Sequence, residues 1–360
     1  MNLIDRRAFT IAAAALALGA VARPSTAASS AWRLLPTEPF TGKQDDISFV
    51  SKDDGWYGNG AGKLYRTLNG GETWEKLWER PGTFIRALGF VDERNGFLGN
   101  VGTDYYPKVT DTIPLYRTRD GGATWSPVEV PGRDIVKGIC GIDILRQKRI
   151  YQGDLRTAAV IHAAGRVGGP ATMLRSIDGG DTWRVIDLRP YAGMILDVKF
   201  FDEKSGLVCA ATSDDLEKAN ALILRTIDGG ETWARAYQSA RPFENCWKLN
   251  FPSRQVGYAT VQNYQEGTTQ RVIVKTEDGG ATWRELPLVN DAQVREFGIG
   301  FATERWGWVG TTITGFETRD GGQNWLPVEM GRAVNKIRIL KQGDRFRAFA
   351  IGAAVHRLDG

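Results

Sequence analysis

The chain has 360 residues, of which 42% are hydrophobic, 10% aromatic and 24% charged, with a formal net charge of +4. That is ample apolar surface for a packed core, which excludes a disordered chain, and the charge is too balanced for a nucleic-acid partner. With 43 glycines and 12 tryptophans, the composition points to tight turns around aromatic-filled sheets and so to an all-β protein.

Residues 1–27 read as a cleavable export signal. Arg6-Arg7-Ala8-Phe9 precedes an apolar run from Ile11 to Val21, and Ser25-Thr26-Ala27 forms a small-residue cleavage site. The apolar run is too short to span a bilayer permanently, so no stable membrane span is expected after cleavage. The paired arginines resemble a twin-arginine signal, although Asp5 and Thr10 replace the residues usual there. The expected location is periplasmic or secreted. Arg6, Arg7 and Arg23 against Asp5 also supply half of the surplus charge.

Residues 28–360 are expected to form one domain, because a nine-residue pattern recurs through them: RTLNGGETW from Arg66, RTRDGGATW from Arg117, RSIDGGDTW from Arg175, RTIDGGETW from Arg225, KTEDGGATW from Lys275 and ETRDGGQNW from Glu317. The fourth positions are Asn69, Asp120, Asp178, Asp228, Asp278 and Asp320, spaced by 42 to 58 residues. Those are the intervals of four-stranded propeller blades with variable loops. The carboxylate accepts from the N–H groups of its own turn, the glycine pair permits positive φ, and the Trp starts the next strand. Burying such an indole would contribute up to about 4–6 kcal/mol, so six of them serve as mortar between blades.

Upstream of each turn lies an alternating strand, with Ile47–Phe49, Leu88–Phe90, Cys140–Ile142, Val198–Phe200, Leu249–Phe251, Ile299–Phe301 and Ile337–Ile339 as its recurring end. A Gly-aromatic strand follows, as in Gly55-Trp56-Tyr57-Gly58. Seven inner strands mean seven blades. A seventh turn of the same kind is read at Asp359, within Leu358-Asp359-Gly360, and residues 31–35 are expected to supply the outer strand of that last blade and close the ring.

With four strands per blade, these box turns share one face with the turns between first and second strands; the remaining loops occupy the other. Long loops are expected there at 102–114, 153–172, 211–221 and 262–270, which makes it the face for binding. The inner strands are expected to bring Arg86, Lys137, Lys199, Lys248, Lys336 and Arg338 to a basic channel mouth, against Asp46 and Asp197. Tyr105, Tyr106, Trp247, Lys108, Arg156 and Tyr264 add rim contacts. Asp214, Asp215, Glu244, Glu266 and Glu296 are the candidate catalytic carboxylates if the chain cleaves glycosidic bonds. Only two histidines are present, His162 and His356, with His162 expected in a solvated loop and His356 in a strand. Cys140, Cys209 and Cys246 are expected as buried small hydrophobes. Neither a metal site nor a cofactor is expected.

The box repeats, the Gly-aromatic second strands and the single ring resemble the photosystem II assembly and stability factor family of Asp-box (BNR) propellers across residues 31–360. The resemblance implies a non-catalytic, monomeric assembly factor that engages an envelope protein or peptide segment, or an acidic glycan, through a basic patch. A more distant resemblance to sialidases and xyloglucanases, which also carry Asp boxes, implies the alternative, a glycoside hydrolase or polysaccharide lyase. The Arg-Ile-Pro-like segment that sialidases carry near their start is missing here.

Overall fold

The computed structural model describes residues 30–360, except Pro107, Arg133, Gln152 and Gly153 and the side chains of 147–151 and 154–157. The export-signal reading of residues 1–27 and the side chain of Arg156 therefore lie outside the described residues. Seven four-stranded antiparallel sheets form a ring, six of them in simple chain order from the channel outwards. The inner strands are Gln44–Phe49, Ile85–Phe90, Gly141–Tyr151, Met194–Phe200, Glu244–Asn250, Glu296–Phe301 and Lys336–Gln342. In the seventh sheet the outermost strand is the N-terminal Arg33–Leu34, paired with Val355–Asp359 through Arg33 opposite Arg357 and Leu34 opposite His356. The expected closure is the one observed, and it removes the open edge that a ring of six and three-quarter blades would expose.

Local chemistry explains the repeated strand pair. A Cβ on Gly55, Gly96, Gly206, Gly257 or Gly307 would stand 2.3 to 2.6 Å from the ring of Phe49, Phe90, Phe200, Phe251 or Phe301 respectively. Each of these second strands therefore opens on glycine because the phenylalanine of the preceding strand lies over its backbone. The next residue then stacks across to the following blade: Trp56 on Phe90 and Tyr258 on Phe301, both with centroids 3.6 Å apart. His162 occupies the same position in blade three and stacks on Phe200 at 3.6 Å, fully buried in a strand rather than solvated in a loop.

The six complete box turns share one hydrogen-bond scheme. In blade three the Ser176 hydroxyl donates to Asp178 Oδ1 (2.8 Å) while its oxygen accepts from the Gly180 N–H (2.8 Å), and Asp178 Oδ1 accepts from the Thr182 N–H (3.0 Å). Burial pushes the Asp178 carboxyl upwards, but the Thr182 hydroxyl and N–H outweigh it and hold the group at about 2. Both box glycines take positive φ, for example 69° at Gly70 and 92° at Gly71. Asp359 departs from this scheme. It lies in a strand opposite Arg347, and its carboxylate takes Arg347 and Arg357 at 2.7 and 2.9 Å instead of turn N–H groups. The box tryptophans do fill the joints between blades, but of the six only Trp233 is buried; the others are partly exposed, so each contributes less than a fully buried indole.

Blade three carries the main departure from the expected loops. Residues 154–164 form a strand that pairs with 141–151 along its whole length, so the insertion is a hairpin of two eleven-residue strands extended on the box face. The connection left on the loop face is only 165–171. Those at 101–114 and 212–220 are long as expected, the latter holding a short 3-10 helix, Leu216–Lys218. The three cysteines are free and buried. No helix among the described residues is long and apolar enough to cross a membrane.

Candidate functional site

Five inner strands shift register against their neighbours at the same level: between Gln44 and Asp46, Ile85 and Ala87, Ile195 and Asp197, Cys246 and Leu249, and Glu296 and Ile299. A β-bulge adds a residue and re-aims its side chain. Here the added residues are Asp45, Arg86, Leu196, the Trp247-Lys248 pair and the Phe297-Gly298 pair, and they form a collar near the loop-face end of the channel.

The collar is a layered network of charge and aromatic rings. Buried Arg86 is salt-bridged to buried Asp45, and its guanidinium lies over the Trp247 ring at 4.9 Å. Asn335 Nδ2 donates to Asp45 Oδ1 (3.1 Å). Lys248 Nζ donates to the Leu196 carbonyl (2.7 Å) and stands 3.6 Å from Asp197. One step further in, Asp46 takes Lys336 (2.5 Å) and Arg338 (3.2 Å). Burial drives the Lys336 ammonium down to about 7 despite the attraction of Asp46. Most of the cations expected at an open mouth are therefore paired inside the channel, because bulges and cross-blade contacts turn them inwards.

Three of the sequence-derived ligand residues stand elsewhere. Lys137 is exposed in the connection that precedes the inner strand of blade three. Lys199, bound to Asp143 at 2.8 Å, and Arg338 both line the other end of the channel, on the box face. Arg86, Trp247, Lys248, Tyr105 and Tyr106 do come together. Tyr105 and Tyr106 meet edge to face at 4.9 Å, Tyr106 stacks on Phe84 at 4.7 Å, and both join the apolar cluster that holds Trp247.

The outer rim adds residues that the sequence reading passed over. Lys43 Nζ lies 5.0 Å from the Phe297 ring centroid, and burial, with Arg86 and Lys248 nearby, lowers its ammonium to about 8 against the pull of Asp45. The Arg295 guanidinium lies 4.2 Å over the Tyr264 ring. Neither Lys43 nor Arg295 forms a salt bridge among the described residues, and Asp45, the carboxylate that acts on Lys43, is already bound to Arg86. At this end Lys43, Arg86, Lys248 and Arg295 thus face Asp45 and Asp197, a local positive excess. A fixed offset before each Ile/Phe segment is the signal that would have found Asp45, Arg86, Trp247 and Phe297 together.

The candidate catalytic carboxylates do not assemble into an accessible pair. Burial raises Glu296 to about 8, with the charge of Glu244 a smaller contribution, and both residues are at most 1% exposed. Glu244 Oε1 accepts from Arg241 (2.6 Å) and Asn263 (2.9 Å). Asp215 caps the short helix and pairs with Lys218 (2.8 Å), while Asp214 and Glu266 are exposed on separate loops. Among the described residues no three His, Cys, Asp or Glu side chains gather as metal ligands would.

No protein-family model matches the chain. A 60-residue segment is 38% identical to the chloroplastic photosystem II stability/assembly factor HCF136 of Arabidopsis thaliana, and it spans 16% of this chain and 15% of that relative. The structure of YCF48 bound to D1 peptide superposes with a TM-score of 0.60 at 19% identity, over 93% of this chain and 98% of that one. The chain has the fold of YCF48. The overall architecture is thus shared over nearly the whole of both chains. The same ring also superposes on the GH74 xyloglucanase from Xanthomonas campestris, at a TM-score of 0.60 and 14% identity over 89% of this chain and 54% of that enzyme. Fold alone therefore does not separate a binding propeller from a hydrolase.

Proposed function

We propose that the protein is an exported binding or assembly propeller that takes an extended acidic peptide segment of an envelope protein across its loop-face collar. The observation that carries this reading is the rim itself: Lys43 over Phe297 and Arg295 over Tyr264 are cations seated on aromatic rings, and neither forms a salt bridge among the described residues. Such pairs offer charge to an acidic side chain and a flat apolar surface to its stem. Arg86 and Trp247 form the floor beneath them. The D1 peptide bound to YCF48, a propeller of the same fold, supports a peptide as the ligand class. The arginine pair and apolar run of residues 1–27 support delivery across the inner membrane, and processing near Ala27 in a bacterial host would test that step.

The binding test uses fluorescence anisotropy with a labelled acidic peptide against the purified mature protein. Lys43→Glu combined with Arg295→Glu is expected to weaken binding at least about tenfold, measured on protein whose cooperative melting shows that it has folded. Binding by the wild type is also expected to weaken as salt rises. Unchanged affinity in the double variant overturns the assignment of the collar.

A further inference from the structure

We propose that the opposite end of the channel, on the box face, is a second ligand site, one that takes a small oxyanion of the phosphate or short dicarboxylate class. A cavity of about 290 Å³ opens there, with Ser48, Asp143, Arg146, Lys199 and Arg338 as its polar side chains. Arg338 spends one N–H on Asp46 (3.2 Å), and its Nε and Nη1 have no partner among the described residues. Lys199 Nζ donates to Asp143 (2.8 Å), which leaves two of its three protons. Ser48 Oγ accepts from the Phe90 N–H (3.3 Å), so its own proton is available to a ligand.

Charge points the same way. Arg146 rests on the backbone carbonyls of Phe90 and Val91 and forms no salt bridge among the described residues, although Asp143 and Asp92 act on it at longer range. Arg146, Lys199 and Arg338 thus face Asp143 and, at longer range, Asp92, together with an Asp46 and an Asp197 that Lys336 and Lys248 already claim. An anion would complete this set, and guanidinium and ammonium donors match oxyanion geometry.

The extended hairpin of blade three is an independent pointer. Its strands run eleven residues where the first hairpins of the other blades run five to seven, and Ile144 and Arg146 near its base form part of the cavity wall. The longest hairpin of the ring therefore stands beside the one cationic end of the channel that opens on the box face.

The experiment is calorimetric titration of the mature protein with inorganic phosphate, sulfate and succinate at constant ionic strength, with chloride as the reference. Saturable binding of a dianion is expected, weakened about tenfold by Arg338→Met and by Arg146→Gln, as loss of one charge-assisted hydrogen bond implies. Lys43→Glu, on the other face, is expected to leave it unchanged, which separates failure of this site from failure of the collar. Should Arg338→Met not fold, exposed Arg146→Gln carries the test alone. Heats no different from chloride, or binding indifferent to Arg146→Gln, overturn the proposal.

Discussion

The imidazole of His162 lies flat on the ring of Phe200, with centroids 3.6 Å and planes 3° apart, where blade three meets blade four. Both ring nitrogens are buried without a hydrogen-bond partner among the described residues. Burial, followed by the charges of Arg175 and Lys199, lowers the imidazole well below its usual 6.5. The unfolded chain therefore binds a proton near pH 6.5 that the folded ring refuses. Stability is expected to be level above that pH and to fall below it, by up to about 1.4 kcal/mol per pH unit until the folded group titrates. His162→Phe, which supplies the kind of ring blades one and five already use there, should flatten that slope. Chemical denaturation at pH 5 and pH 7.5 measures it, and equal slopes in both proteins would discredit the role of the imidazole.

Ring closure rests on few residues. Trp32 meets Trp308 edge to face at 5.4 Å and packs with Phe346 and Leu358, and the Ser30 N–H donates to Glu317 (3.1 Å). Trp32→Ala is expected to cost about 3–5 kcal/mol, as removal of a large buried aromatic does. Deleting residues 30–35 should lower the melting temperature further by exposing the edge of Val355–Asp359. A truncated chain that melts like the intact one would refute closure by this strand.

Blade one has Asn69 where the other five complete turns have Asp. Asn69 Oδ1 accepts from the Thr73 N–H (3.0 Å), and its Nδ2 donates to the Thr73 hydroxyl (2.8 Å). Asn69→Asp would replace neutral hydrogen bonds with charge-assisted ones, for an expected gain of about 0.5–1 kcal/mol at pH 7. In the matching turn of blade two, the hydrogen bonds of Thr124 outweigh burial and hold Asp120 at about 2. A carboxyl depressed in the folded state stabilises above its unfolded value near 3.9, so the gain should vanish as pH falls from about 4 to about 2. Urea unfolding across that range checks both the sign and the window.

Asp46 is buried between Lys336 and Arg338, and its Oδ2 also accepts from the Leu88 N–H (2.8 Å). Asp46→Asn would leave a buried ammonium uncompensated and is expected to cost about 3–5 kcal/mol. Asp46→Asn paired with Lys336→Met should recover part of that loss. A double variant no more stable than Asp46→Asn would mean that the ion pair is not what Asp46 supplies.

Sequence by itself determined the repeating unit. Box turns, the glycine under each phenylalanine and the strand alternation are set by neighbours a few residues apart, so blade count, box face and the closing role of residues 31–35 were all legible. Arg86, Trp247 and Lys248 were likewise legible as channel-end residues. What tertiary structure alone decided was which way the charged side chains point. The bulges at Asp45, Arg86 and Phe297 depend on how each inner strand meets its neighbour, and partners such as Asp46 and Arg338 are brought together from opposite ends of the chain. The apolar run from Ala158 to Ala164 suits a strand equally well on either side of blade three. Only its pairing with 141–151 placed the insertion on the box face. Turn chemistry is local and was therefore readable; the compensation of buried charge is a property of the closed ring.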